Sequence, residues 1–303
     1  MRKYILIALS FVFVAAAPLM GPSAEASELA ESEWVVSAEK AKGLIEADAA
    51  TVLDTRGGSW KLGHVPGAQS VDWKDFSQSD GHNKGKLLDD REALTKKLRK
   101  LGVSKGKPVL VVGKPPNNWG EDGRIVWMLR ALGHPEVALV DGGHKALKKA
   151  GVKSVIGGRE VPTGDFTPAT SPSFSIDRDG LKEHYESDDY AVLDTREERE
   201  FDGETPYGES RGGHVPGAKH IHYADLLRPD GRLLPKATLE KKLEALGVTP
   251  AKKVVAYCTG GVRSAWLVVV LAHLGYEDVA NYPGSMWDWA AAPADEYPLD
   301  ARE

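Results

Sequence analysis

Four sequence blocks of this 303-residue chain occur twice, in the same order. They are VLDTR at 52–56 and 192–196, GHVPGA at 63–68 and 213–218, and two longer blocks that begin at 98 and 129 and again at 243 and 271. Blocks that recur in one order indicate a tandem duplication, because chance similarity would not preserve the order. The chain is therefore expected to fold as two similar domains.

Each copy alternates short β-branched segments with amphipathic ones, which predicts an α/β fold with a mostly parallel central sheet flanked by helices. The apolar segment 266–274 could pass for a strand. Its counterpart 125–134 has helical spacing, with Arg130 interrupting the apolar run, so both segments are predicted as helices. A stretch rich in Gly, Pro, Ser and Thr predicts a linker at 153–175, between domains at 27–152 and 176–303.

The only cysteine, Cys258, directly follows an apolar, β-branched run at 254–257. A glycine-containing loop and Arg263 come next, and Ser264 is the predicted cap of the following helix. A lone cysteine is usually a small buried hydrophobe. Here the end of a strand, the start of a helix and a nearby arginine all favour the thiolate, so the pattern predicts a nucleophile.

The first 26 residues are predicted to be an export signal. Arg2 and Lys3 precede an apolar run at 4–18, and Ala24-Glu25-Ala26 offers a small-x-small cleavage site. The run is too short to span a membrane, so we expect an exported, periplasmic protein without stable membrane association after cleavage. The 44 acidic and 39 basic residues do not indicate nucleic-acid binding. One cysteine and scattered histidines indicate neither a metal site nor a disulfide, and no cofactor is predicted.

These motifs together resemble the rhodanese family of sulfurtransferases, in its two-domain exported form. The resemblance rests on the paired DTR and GHVPGA motifs, the loop CTGGVR at 258–263 and the closing NYPGSMWDW at 281–289. It implies two tandem rhodanese-like domains, with the cysteine in the C-terminal domain and a catalytically silent N-terminal domain. Aligning VVGKP at 111–115 with VVAYC at 254–258 places Pro115 opposite Cys258.

The resemblance also implies a chemistry. Cys258 would take the sulfane sulfur of thiosulfate, carry it as a persulfide and pass it to a thiol or cyanide acceptor. The loop residues Thr259, Gly260, Gly261 and Val262 would offer backbone amides to the anionic sulfur.

The sequence and the resemblance also suggest roles for several other residues. Arg263 and Arg196 are expected to bind the anionic donor. Asp194 either braces the loop or forms a turn at the end of its strand. His64 and His214 recur in both copies and are predicted to be structural. Trp287 and Trp289 are expected to pack in the core or between the domains rather than to line a pocket.

Three alternatives remain open on the sequence. A cysteine phosphatase or arsenate reductase shares this kind of Cys…Arg loop, but it needs five residues between Cys and Arg where this chain has four. A non-catalytic sulfur-carrier or binding module is the second. The third is transfer from 3-mercaptopyruvate, since members that use it have an uncharged loop resembling Cys-Gly-Ser-Gly-Val-Thr. Two converging arginines favour thiosulfate, a compact dianion.

Overall fold

The computed structural model describes residues 28–169 and 173–301. The predicted export signal and residues 170–172 of the predicted linker lie outside the described residues. The described part of the chain contains two sheets, one in each copy of the repeat. Within each sheet, every pairing of neighbouring strands is parallel. The predicted α/β fold with parallel sheets is confirmed.

The first domain has a five-stranded sheet in the order β1-β5-β4-β2-β3. Its strands are β1 (Val35–Val36), β2 (Thr51–Asp54), β3 (Gln69–Ser70), β4 (Val109–Val112) and β5 (Val137–Val140). Its helices are α1 (Ala38–Glu46), α2 (Arg91–Lys100), α3 (Glu121–Ala131) and α4 (Gly143–Lys149).

The second domain repeats this order as β7-β6-β8-β9, and Ser175 forms a single parallel bridge to Asn281 where a first strand would lie. Its strands are β6 (Tyr190–Asp194), β7 (Lys219–His220), β8 (Lys253–Tyr257) and β9 (Val279–Asn281). Its helices are α5 (Arg178–His184), α6 (Glu198–Phe201), α7 (Lys236–Ala245), α8 (Val262–Leu274) and α9 (Ser285–Trp289). The two ambiguous apolar segments are helical, as predicted, in α3 and α8.

Successive side chains of the central strands point to opposite faces of each sheet, so the apolar core is divided into separate clusters. Val109 and Val111 of β4 belong to a cluster that also contains Val254 and Ala256 of β8, so one core is shared by both domains. The intervening side chains of each strand point to a separate cluster on the outer face of its own sheet. Strands buried on both faces explain why the sequence shows apolar runs there rather than alternation.

Helices α3 and α8 pack against each other at the centre of this shared core. Gly120 and Gly123 permit the close approach, because a Cβ atom on either would lie 2.7 or 2.5 Å from side-chain atoms of Trp266. The first turns of both helices are thereby brought together, and each helix starts beside the carboxyl end of its own central strand. The site is built at this junction.

The strand register corrects one prediction. Asp54 pairs with Val112 in the first sheet, as Asp194 pairs with Tyr257 in the second. The residue after Val112, Gly113, is therefore the counterpart of Cys258, and the placement of Pro115 opposite the cysteine is wrong by two positions. Six residues separate Gly113 from the helix cap Gly120, but only two separate Cys258 from the cap Gly261. Because the two loops differ in length, the similarity of the flanking sequences did not show which residue of the first domain lies opposite Cys258.

Candidate active site

Cys258 lies directly after β8, at the bottom of a short turn that leads into α8. Its side chain is almost fully buried, with 1% of the residue exposed. The backbone N–H of Gly261 donates to Sγ at 3.1 Å, and the N–H of Cys258 donates to Oγ of Ser285 at 3.1 Å. The sulfur is thus held by an amide at the N-terminus of a thirteen-residue helix, where partial positive charge favours an anion.

The turn is tight because two of its residues have no side chain. A Cβ on Gly260 would lie 2.1 Å from the ring of Trp287. Gly261 has a φ of +75°, and a Cβ there would lie 2.6 Å from Pro283. A left-handed backbone and close packing on both sides require glycine, so the amides can curl around the sulfur.

The surroundings of the thiol favour its ionised form. Burial by itself raises the pKa of Cys258. The charge of Arg263 and the backbone N–H groups of Ser264 and Gly260 lower it by more, so the pKa lies below the ordinary value for a thiol. A depressed pKa increases the fraction of thiolate, which is the nucleophilic form.

Arg263 lies in the first turn of α8 and is paired with a carboxylate. Its guanidinium donates to both oxygens of Glu200, at 2.6 and 2.8 Å, and to Oγ1 of Thr259 at 2.7 Å. The hydroxyl of Thr259 in turn donates to Glu200 at 2.7 Å. Burial raises the pKa of Glu200, but the contacts with Arg263 outweigh this and leave it lowered. Arg263 therefore faces the loop with most of its charge balanced by Glu200.

A cavity of about 340 Å³ opens over Cys258, and both domains contribute to its walls. The first domain supplies Trp73, Lys74, Trp119 and Glu121, and the second supplies Tyr207 and Trp287 around the loop. Four aromatic residues therefore line the cavity over the sulfur. Such a mostly apolar site with a few polar groups is typical of small-molecule binding.

Two first-domain residues of this wall have unusual properties. Trp119 has a φ of 54° and is 42% exposed, and its ring lies 5.0 Å from the guanidinium carbon of Arg263. A left-handed backbone at a bulky residue is strained, and such strain concentrates at functional sites. Burial, together with the charges of Asp72 and Asp122, raises the pKa of Glu121 to about 7. This carboxyl therefore changes its charge near neutral pH.

Comparison with known proteins identifies the domain type. The model of the rhodanese-like domain matches the chain twice, at residues 37–150 and 177–292. The chain belongs to the rhodanese family. Its two matched segments contain β4 and β8 at corresponding places, so the duplication seen in the sequence is a duplication of this domain.

Several curated relatives of this rhodanese have similar length. It is 31% identical to the sulfur carrier protein TtuD of Thermus thermophilus, over 76% of this chain and 83% of the relative. The thiosulfate sulfurtransferase of Corynebacterium glutamicum is 28% identical, over 86% and 89%. The probable 3-mercaptopyruvate sulfurtransferase of Pseudomonas aeruginosa is 32% identical, over 76% and 82%.

The wild-type structure of EanB superimposes with a TM-score of 0.76, covering 88% of this rhodanese and 69% of that protein. Its sequence identity is 23%, so this likeness concerns the fold alone.

The structure corrects the role of the second DTR motif. Arg196 is fully buried, and it donates to both oxygens of Asp194 and to the carbonyl of Gly213. It does not line the cavity over Cys258. Asp194 binds the backbone and side chain of Arg196 rather than the active loop. Both residues hold a turn at the end of β6, which is the second of the two roles expected for Asp194, and the structure does not support donor binding by Arg196 or loop bracing by Asp194.

Of three further predictions, those for Ser264 and Trp287 are wrong and that for Trp289 is confirmed. The cap of α8 is Gly261 rather than Ser264, whose hydroxyl donates to Asn281 at 2.7 Å from inside the first turn. Trp287 lines the cavity, contrary to prediction, whereas Trp289 is buried in the core as expected. The indole of Trp287 donates to the carbonyl of Tyr207, which fixes it beside Gly260.

The histidines of the repeated motif are structural, as predicted. The ring of His64 donates to the carbonyl of Trp60, and that of His214 to the carbonyl of Phe201. Each ring also stacks on that same partner's aromatic ring. Across residues 28–169 and 173–301, no group of three or more His, Cys, Asp or Glu is placed to hold a metal ion. No helix in these ranges is long and apolar enough to cross a membrane.

Sequence reasoning missed Glu200 and every first-domain residue of the site. Glu200 follows the DTR motif by four positions, but nothing in its spacing points to Arg263, which lies 63 residues later. Trp119 and Glu121 carry a weak signal, because they flank the glycine that starts α3 and so correspond to the end of the loop of Cys258. Arg124, also missed, contacts that loop directly.

Proposed function

We propose that this sulfurtransferase takes the sulfane sulfur of thiosulfate onto Cys258 and passes it to a thiol acceptor. The observation that carries the proposal is the single thiol of the chain, lying at the bottom of a cavity shared by both domains with an amide donor on its sulfur. Curated relatives of similar length bear the names of sulfurtransferases, which supports this enzyme class.

In the first half-reaction the thiolate of Cys258 attacks the outer sulfur of thiosulfate. A new sulfur–sulfur bond forms, the original bond to the sulfonate sulfur breaks, and its electron pair leaves with sulfite. The product on the protein is a persulfide anion, which carries the same charge as the thiolate. The Gly261 N–H that holds the thiolate is placed to stabilise this anion as well.

In the second half-reaction an acceptor thiolate attacks the outer sulfur of the persulfide. The bond to Sγ breaks, its electron pair regenerates the Cys258 thiolate, and the acceptor leaves as its own persulfide. Cyanide would leave as thiocyanate by the same displacement. The aromatic walls and the size of the cavity favour an organic thiol over cyanide, since pockets above about 300 Å³ accommodate larger molecules.

The geometry also bears on the rival functions. Arg263 is held by Glu200 in a buried bidentate pair, whereas a phosphatase loop needs a guanidinium free to bind its oxyanion. The same pairing removes part of the argument for thiosulfate, because neither Arg263 nor Arg196 is a free cation. 3-Mercaptopyruvate is therefore the second candidate donor, because a singly charged keto acid has less need of free cations than the thiosulfate dianion.

Mass spectrometry before and after exposure to thiosulfate tests the proposal. We expect one added sulfur on Cys258, its loss on addition of a thiol, and no addition in Cys258→Ser. Turnover of thiosulfate and 3-mercaptopyruvate at equal subsaturating concentrations then identifies the donor. No added sulfur with either donor would contradict sulfur transfer, and faster turnover of 3-mercaptopyruvate would contradict only the choice of donor.

We further propose that the protein is exported and acts in the periplasm. The basic start, the apolar run and the Ala24-x-Ala26 site support this proposal. N-terminal sequencing of protein from the native host should begin near Ser27. Soluble cytoplasmic protein that retains Met1 would contradict it.

A further inference from the structure

Three guanidinium groups are buried near the cavity, and they differ in what balances their charge. Arg196 is paired with Asp194 and Arg263 with Glu200, each through two guanidinium nitrogens. Arg124 of α3 is equally buried, with 1% exposed. Within the described ranges, no carboxylate forms an ion pair with Arg124, although a cation in a protein interior is costly without one.

All of the side-chain hydrogen bonds of Arg124 go to neutral oxygens, and one of them crosses to the second domain. One nitrogen donates to the carbonyl of Gly261 at 3.0 Å, in the active loop. The other donates to the carbonyl of Gly85 at 2.6 Å and to the hydroxyl of Ser77 at 3.2 Å, both in the first domain. The side chain therefore ties the loop of Cys258 to the silent domain at the residue whose N–H holds the sulfur.

The charge of Arg124 also interacts with the cysteine. Burial lowers the pKa of Arg124 to about 9, and the negative charge of Cys258 is what raises it against this effect. The other cation near the thiol, Arg263, shares its charge with Glu200. In a low-dielectric interior an unshared charge acts strongly on its neighbours.

We propose that Arg124 is a positioning residue that the silent domain supplies to stabilise the negative charge on Cys258. It acts on the thiolate, and, on the proposed function above, on the persulfide. It holds the loop through the Gly261 carbonyl and compensates the sulfur's charge from behind the loop. The nucleophile is then complete only when α3 and α8 are packed together, which gives the silent domain a part in the chemistry.

The test measures the rate at which iodoacetamide alkylates Cys258 as a function of pH, in the full-length protein without any sulfur donor. In Arg124→Gln we expect alkylation at pH 6 to be about tenfold slower than in the wild type, as for an increase of one unit in the thiol pKa. At pH values well above both midpoints the two rates should converge, because the thiol is ionised in both proteins.

Arg130 provides a matched control on the same helix. It is also buried, and its guanidinium also donates only to neutral oxygens, the backbone carbonyls of Val137, Glu31, Pro135 and Glu33. Arg130→Gln should reduce thermal stability without shifting the pH profile of alkylation. The other titratable or charged groups that line the cavity or touch its loop are unchanged in every variant: Lys74, Glu121, Glu200, Tyr207, Glu209 and Arg263.

Arg124→Lys separates charge from hydrogen bonding, because lysine keeps the charge but cannot reproduce the guanidinium fork. We expect its alkylation profile to stay near that of the wild type, and this variant decides the matter if Arg124→Gln does not fold. A wild-type profile in folded Arg124→Gln, or a tenfold slower rate at pH 6 in Arg124→Lys, would overturn the proposal. Since no donor is present, these outcomes are independent of whether thiosulfate is the substrate.

Discussion

The loops that follow β4 and β8 occupy the same place in two equivalent sheets, yet one holds the thiol and the other forms part of the cavity wall. Each leads to a helix whose cap is a glycine with a φ of +75°, Gly120 in one and Gly261 in the other. After β8 the loop is short and its amide binds a sulfur. After β4 it is four residues longer, and it carries Trp119 out to the wall of the partner domain's cavity.

The interior of the first loop has no space for a nucleophile. A Cβ on Gly113 would lie 2.1 Å from a carboxylate oxygen of Asp122 and 2.5 Å from the amide nitrogen of Asn118. Burial raises the pKa of Asp122 to about 6. The position that holds a thiol in one domain is thus filled from the helix in the other. The two copies share one frame, but one loop holds the thiol and the other supplies Trp119 to the cavity wall.

The largest expected effect tests whether reactivity belongs to one loop alone. Cys258→Ser should lower sulfur-transfer kcat/KM by at least about a thousandfold, because the hydroxyl of serine is a far weaker nucleophile at neutral pH. Its thermal midpoint should stay close to that of the wild type. Adding Gly113→Cys to this variant should restore no turnover and should lower stability, because the side chain has no room. Turnover that returns with Gly113→Cys would break the comparison.

The second test compares the two buried Asp–Arg pairs. Arg56 binds Asp54 and the Gly63 carbonyl in the same way that Arg196 binds Asp194 and Gly213. Arg56→Gln and Arg196→Gln should therefore cost similar amounts, about 3–5 kcal/mol of unfolding free energy, since each leaves a buried carboxylate unpaired.

Urea unfolding gives these free energies, and steady-state kinetics at a temperature where both variants are folded gives the donor KM. A rise in donor KM confined to Arg196→Gln would show that this arginine reaches the substrate after all.

The third test concerns the helix pair that joins the domains. Gly123→Ala should destabilise the protein by about 1–3 kcal/mol, because its Cβ would overlap Trp266 of the facing helix. Gly106→Ala is the control, since open space surrounds Gly106. Unfolding of both variants by urea measures the difference, and an equal effect at the two sites would mean that α3 and α8 are not tightly packed.

The smallest effect involves Glu121, which occupies the first position of α3 as Val262 does of α8. Its pKa of about 7 in the folded protein exceeds the value of 4.5 expected for the unfolded chain, so the unfolded chain loses this proton first. Stability should therefore fall as pH rises from about 4.5 to about 7.

Glu121→Gln should remove this part of the pH dependence, whereas the exposed Glu92→Gln on α2 should leave it intact. The difference between unfolding free energies at pH 5 and pH 8 measures it. An unchanged difference in Glu121→Gln would show that the carboxyl is better solvated than the structure indicates.

The sequence by itself determined the duplication, the parallel α/β sheets, the helical nature of α3 and α8, and the position of Cys258 at the end of a strand. These features depend on local patterns: periodicity, β-branched runs and glycine at turns. The silence of the first domain stays a prediction, and the residue opposite Cys258 was misidentified. Strand register, which only pairing reveals, identifies it as Gly113.

The tertiary structure decided which charges are free and which residues from the other domain reach the sulfur. Arg263 and Arg196 both looked like substrate-binding cations, yet each is paired with a carboxylate, and in one case that carboxylate lies 63 residues away. Arg124 and Trp119 lie more than 130 residues from Cys258 in the chain. Ion pairing and burial depend on distances in space that the linear order of residues does not encode, so the electrostatics of this site emerge only once α3 and α8 have packed.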